Sequence, residues 1–244
     1  MRVGIIQPNF IPWRGYFDFI RSVDLFVLLD DVQYTKNGWR ARNKIKSPAG
    51  TQWLTVPVRN RGLGMRLDEA WIDDTQDWRH KHAGSWQANY ADAPWYADVC
   101  ELWKAANVDR PATLVSLNRH LIDILCDYLG IDTPILMSSQ FKIALTRTEK
   151  LIALLRAVGG TRYLSGPSAD DYLDKQLLAE CGIALEYKSY DYPDYPQLWG
   201  AFDGVVSVLD LIANCGPSAP EYLRSRTPDR VVLELAPSRV AFSQ

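Results

Sequence analysis

Residues 3–36, VGIIQPNFIPWRGYFDFIRSVDLFVLLDDVQYTK, decide the fold. Arg2 to Ile6 is a short apolar run stopped by Gln7 and Pro8, and Leu25 to Leu29 is a second run stopped by Asp30 and Asp31; both patterns are those of buried strands. The segment between them, Gly15 to Val23, is helical in character. A strand, a helix and a strand with short joints form a parallel crossover unit, whose ligands gather at the carboxyl ends of the strands. Those ends are Gln7 and Asp30.

Outward from this unit, residues 43–58, NKIKSPAGTQWLTVPV, are two alternating runs about a Pro-Ala-Gly turn, which predicts a β-hairpin inserted at an edge. Three helices follow, over 77–90, 95–107 and 113–130, the last stopped by Gly130, and they predict a helical segment over roughly 76–130. The α/β rhythm then resumes. Strands are expected at 134–137, 162–166 and 184–190, and helices at 146–160, 168–182 and 205–216, with a polar tail beyond. Thr146 and Ser168 are the expected N-caps of two of these helices, with Glu149 completing a capping box for the first. The predicted fold is therefore α/β, a parallel-sheet Rossmann-like core with a hairpin insertion and a helical middle segment, all in one domain over 1–244.

A 244-residue chain with 47% hydrophobic residues can bury a substantial core. Its net charge of −2 provides no global positive field, so neither a nucleic acid nor an anionic membrane is the expected partner. Cys100, Cys126, Cys181 and Cys215 are widely spaced with no metal-ligand pattern, and they predict buried thiols in a cytoplasmic protein. Nine Trp and twelve Tyr are abundant enough to line a pocket for sugars or bases as well as to fill a core.

Four constellations carry candidate chemistry. The loop at 7–16, QPNFIPWRGY, has two stiffening prolines, a glycine permitting close approach at a helix start, and the amides Gln7 and Asn9. Residues 30–44, DDVQYTKNGWRARNK, concentrate Asp30, Asp31, Asn37, Arg40, Arg42, Asn43 and Lys44 directly after a strand. Neighbours on a strand point oppositely, so one aspartate faces a ligand while the other caps the loop. Arg40 and Arg42 would share a face of an extended segment and grip phosphate or carboxylate. His80 and His82 diverge by about 200° on a helix and cannot chelate one metal, so no metal is expected, although His82 could act as a base. Residues 163–173, YLSGPSADDYL, set Ser165 and Ser168 at another strand end, beside backbone amides suited to anions or hydroxyls.

These segments resemble the WbqC-like family, bacterial proteins associated with O-antigen and other surface-glycan biosynthesis. The likeness rests on IIQPNFIPWRGYFDFI, LLDDVQYTKNGW, RNKI, WLTVPV, the W..KH at Trp78, Lys81 and His82, and YLSG.SA.DYLD, and it spans nearly the whole chain. It implies a role such as transfer of glycine to an amino sugar. Gln7 stands where some members carry His. A more distant likeness is to nucleotidylyltransferases, whose HxGH loop has its counterpart in Trp13 to Tyr16, with both histidines replaced.

The expected function is thus acyl or aminoacyl transfer to the amine of a small acceptor, with ATP as activating co-substrate and a nucleotide-linked amino sugar as partner. Asp30, Asp31 or His82 would take the amine proton, Arg40, Arg42 and Lys44 would neutralise negative charge, and Gln7, Asn9, Tyr16, Asn37, Asn43, Ser165 and Ser168 would orient ligands. The alternative is a sugar-nucleotide or glycan-precursor binding protein using the same groups without catalysis.

Overall fold

The computed structural model describes residues 1–59 and 64–234. In chain order its elements are β1 (Arg2–Ile6), α1 (Arg14–Arg21), β2 (Leu25–Leu28), β3 (Arg42–Ser47), β4 (Gly50–Thr55), α2 (Trp78–Tyr90), α3 (Tyr96–Asn107), α4 (Leu114–Tyr128), β5 (Ile135–Met137), α5 (Arg147–Ala157), β6 (Arg162–Ser165), α6 (Lys175–Glu180), β7 (Ala184–Tyr187), α7 (Val208–Cys215) and β8 (Arg230–Leu233). Six strands form one sheet in the order β5-β2-β1-β6-β7-β8, parallel except for β8, which runs antiparallel at the edge. Counted within the sheet the order is 3-2-1-4-5-6. The chain therefore winds outward from β1 in both directions, and a crevice opens where the carboxyl ends of β1 and β6 diverge.

Strand alternation divides the interior into two cores. Val3 and Ile5 of β1, with Leu25 and Val27 of β2, face the side covered by α5 and α6. Phe26 and Leu28 face the other side, where α1, the hairpin, α2, α3, α4 and α7 share one apolar cluster. Gly4 is what lets α1 approach the sheet: a Cβ there would stand 2.5 Å from the Phe19 ring, which itself packs edge-on against Phe26.

The expected hairpin is β3 and β4, paired from Arg42↔Thr55 to Ser47↔Gly50, with Gly50 at φ +111° in the turn. The three middle helices occupy the expected stretches, and Gly130 follows α4 at φ +65°, a conformation glycine adopts without strain. Three expectations need correction. The helix placed over 168–182 is reduced to α6, whose N-cap is Asp174 accepting from Leu177 N–H at 2.9 Å, while Ser168 lies in a preceding 3₁₀ turn, Pro167–Asp171. Asp174 wins because Pro167 and the local 3₁₀ bonds keep the earlier residues out of register. The tail expected to be polar supplies β8, an antiparallel edge strand whose half-exposed residues lack the apolar run of a buried strand. The thiols also differ from expectation, Cys100 being exposed and Cys181 half-buried, whereas Cys126 and Cys215 are buried. Among the described residues no helix is long and apolar enough to cross a membrane.

Candidate functional site

A cavity of about 680 Å³ lies at the carboxyl ends of β1, β2 and β6, the divergence point of the sheet. Its size suits a small organic ligand, for which pockets of roughly 300–1,000 Å³ are usual. Gln7, Asp31 and Ser165 enter it from the strand ends, Trp13, Tyr16 and Tyr190 supply aromatic wall, and Thr146, Arg147 and Lys150 come from the start of α5.

The chief electrostatic feature is an ion pair, with Lys150 Nζ 2.7 Å from Asp31 Oδ2 and the two side chains only 7% and 5% exposed. Burial alone would raise the Asp31 carboxyl, but hydrogen bonds from Lys150 and Ser138 outweigh it and hold the group below the usual carboxylate range. Asp31 is therefore an anion at neutral pH. Thr146 occupies the N-cap position of α5 yet makes no side-chain cap bond, so the first-turn amides of that helix lack the cap that the sequence predicts for them. Lys150 and those amides make the α5 side of the cavity receptive to an anion. Burial pushes the Tyr16, Tyr163 and Tyr190 phenols upward, which keeps them protonated hydrogen-bond donors. Tyr16 donates to the Gln7 carbonyl at 3.0 Å, tying the helix α1 to the end of β1.

Of the residues singled out from sequence, Gln7, Asn9, Tyr16, Asp31, Ser165 and Ser168 line this cavity. Asp30 lies behind it, buried, accepting from the Ser139 N–H at 2.9 Å and from the Ser138 hydroxyl. The adjacent aspartates thus divide, Asp30 turned inward and Asp31 lining the cavity. His82 is not among the cavity residues: it is 5% exposed, ringed by Phe10, Trp78 and Trp103, with Nε2 3.2 Å from the Thr55 carbonyl. Burial lowers its pKa to about 4, so it is a neutral imidazole at neutral pH.

Asn43 is buried with its amide donating to the Phe10 and Ile11 carbonyls at 3.1 and 2.6 Å. It clamps the loop where Ile11, a β-branched residue, adopts φ +39°. Asn37 is exposed at φ +60° and lies outside the cavity lining. Arg40 precedes β3 in a turn, so it does not share a strand face with Arg42 as the spacing predicts. Arg42 and Lys44 lie over the Trp53 ring, 4.1 and 5.3 Å from its centroid.

Lys150, Arg147, Trp13 and Tyr190 also line the cavity, and the sequence motifs do not mark them as site residues. The signal for Lys150 was present: it shares a helix face with Leu154 and is flanked by Leu151, a cation on an apolar face. Tyr190 falls in the strand expected over 184–190, but β7 ends at Tyr187 and Tyr190 belongs to the loop that follows.

Gly15 approaches a side chain, not a ligand. A Cβ on it would stand 2.3 Å from the Trp13 ring, and that ring packs on Tyr190 with centroids 5.2 Å apart. Gly15→Ala is expected to swing Trp13 off Tyr190 and weaken ligand binding about tenfold while costing about 1–3 kcal/mol of stability. A calorimetric titration beside a urea melt checks both, and unchanged affinity would show that the Trp13 wall is dispensable.

Fold and cavity together define an α/β protein with a cavity at the carboxyl edge of a mostly parallel sheet. The WbqC-like protein family matches residues 7–222, and the chain belongs to that family. It is 43% identical over 226 residues to the uncharacterized protein Rv1507c of Mycobacterium tuberculosis, covering 91% of this chain and 97% of the relative. No solved structure matches.

Proposed function

We propose that the protein joins an acyl or aminoacyl unit, glycine being the simplest, to the amine of an amino sugar used in surface-polysaccharide biosynthesis. The observation that carries this is the uncapped start of α5 with Lys150 and Arg147 opening on the same cavity as the Asp31 carboxylate. The strand order supports a Rossmann-like core of the kind nucleotidylyltransferases use, with phosphate at a helix start. ATP, as co-substrate, would supply the phosphate or adenylate ester that activates the acid. Lys150, Arg147 and the α5 amides fit its phosphates, and Trp13 or Tyr190 offers a ring face to its base.

In the transfer itself the acceptor nitrogen forms a C–N bond to the acyl carbon, and the carbon–oxygen bond to phosphate breaks with its electrons leaving on phosphate. The amine proton passes to Asp31. A carboxylate below its usual pKa suffices there, because nitrogen becomes far more acidic as it is acylated. Gln7, Asn9, Ser165 and Ser168 orient the reactants by hydrogen bonds, and positioning accounts for much of the acceleration.

The test combines binding and turnover. ATP should raise the melting temperature, and Lys150→Met should abolish that rise. Given ATP, glycine and glucosamine 1-phosphate, the protein should form an amide with release of phosphate or pyrophosphate, and Asp31→Asn should cut kcat by about a hundredfold or more. Absence of any ATP effect would overturn the scheme.

One observation favours a second reading, a binding protein that presents a glycan precursor without chemistry. The pKa shifts at the cavity, Asp31 held low and the phenols held high, all move away from neutrality. Tight binding of a nucleotide-linked amino sugar without product would establish that reading.

A further inference from the structure

A second, smaller pocket of about 180 Å³ adjoins the cavity and is lined by Asn9, Pro12, Trp13, Trp39, Asn43 and Val205. Asn9 and Trp13 border both spaces. The volume equals about six waters of liquid, enough for one sugar ring and too small for a nucleotide. Trp39 is 39% exposed and meets Trp53, 40% exposed, with ring centroids 5.3 Å apart. The pocket thus continues outward as an aromatic ledge, and on that ledge stand Arg42 and Lys44.

Both cations lie over the Trp53 ring. Among the described residues neither forms an ion pair with a carboxylate. Arg42 Nε is shielded from solvent with no hydrogen-bond partner. Register explains their placement, since Arg42 and Lys44 are two apart on β3 and Lys44 pairs with Trp53 across the hairpin. Asn43, between them, points inward and spends its amide on the Phe10–Ile11 loop and its oxygen on the Lys44 N–H. Asn9 is different: its Oδ1 is buried and receives no donor. A buried acceptor without a donor is destabilising, so a ligand N–H that reaches it is favoured.

We propose that this pocket is the acceptor subsite and takes a phosphorylated amino sugar, its ring against Trp39, its phosphate on Arg42 and Lys44, and its amine on Asn9. The assignment rests on the transfer reading above and sharpens it. An amine held at Asn9 sits at the boundary between the two spaces, where an acyl group activated in the larger cavity can be reached. Net charge opposes nucleic acid as occupant of the ledge, because the chain is acidic overall and the ledge carries only two cations.

Calorimetric titration of the full chain with glucosamine, glucosamine 1-phosphate, glucose 1-phosphate, UDP-glucosamine and ATP tests this. Glucosamine 1-phosphate or UDP-glucosamine should bind about tenfold or more tightly than glucosamine, since charge-assisted contacts are worth that much. Whichever of the two binds more tightly identifies the phosphate source. The double variant Arg42→Gln/Lys44→Gln should erase the phosphate preference while leaving ATP affinity unchanged. Asn9→Leu should erase the preference of glucosamine 1-phosphate over glucose 1-phosphate. Equal binding of glucosamine and its phosphate by the wild type, or a preference that survives the double variant, overturns the subsite even if ATP binds. Phosphate-dependent sugar binding without ATP binding would keep the subsite and overturn the activation scheme. Binding of single-stranded oligothymidylate that the double variant abolishes, with no sugar bound, would also overturn it.

Discussion

Lys150→Met is expected to lower the unfolding free energy by about 1–3 kcal/mol, because it leaves the Asp31 carboxylate at the cavity wall without its cation. Methionine fills the same volume, so the loss reports charge and not packing. Asp31→Asn added to Lys150→Met should recover most of it, since two neutral side chains of matching shape leave no buried charge. Urea melts of the wild type, both single variants and the double variant measure the coupling, and the slope of unfolding against urea should stay constant. Additive losses in the double variant would mean that the two groups do not depend on one another. The same Lys150→Met protein should fail to bind ATP, and the Asp31→Asn/Lys150→Met double variant, though refolded, should fail too. That separates loss of the ligand contact from loss of the fold.

His82 has the second large effect, and it concerns pH. Its folded-state pKa is about 4 against 6.5 for the free side chain, because the cage of Phe10, Trp78 and Trp103 excludes water from the imidazolium. Between those values the unfolded chain takes up a proton and the folded chain does not. Stability contributed by this group is therefore complete above pH 6.5 and is lost as pH falls towards 4, amounting to about 3 kcal/mol at 1.36 kcal/mol per pKa unit. His82→Phe should flatten the stability curve in that window. Below it, Asp31 and Asp229, whose pKa values are lowered from 3.8, withdraw their own contributions, so the two windows separate on a pH series of urea melts. A wild-type curve without slope between pH 6.5 and 4 would contradict the caged imidazole. A His82 that resists protonation and is tied to the Thr55 carbonyl serves the α2–hairpin contact, and the transfer scheme assigns the proton to Asp31 instead.

Local patterns sufficed for the first unit, the hairpin, the middle helices and the later α/β rhythm, because each is written in periodicities and turn residues within a dozen positions. They also marked the strand ends where Gln7, Asp31 and Ser165 stand. Asp30 and Asp31 lie beyond the end of β2, so their split is set by the loop and its contacts with Ser138 and Lys150 and not by strand parity. What local pattern cannot carry is which distant groups meet. Lys150 reaches Asp31 across 119 positions, and Tyr190 reaches Trp13 only because the loop after β7 folds back over α1. His82 and Asn43 show the converse. Both are polar, near the motif and chemically able, and both are spent on the interior, one in an aromatic cage and one on a strained loop.

The opening strand, helix and strand were thus determined by sequence alone: their apolar periods and the polar residues that stop them admit little else. The strand order, the cavity at its point of reversal and the partners of each charge were decided by the tertiary structure, since burial and long-range pairing are properties of the packed chain and leave no local trace.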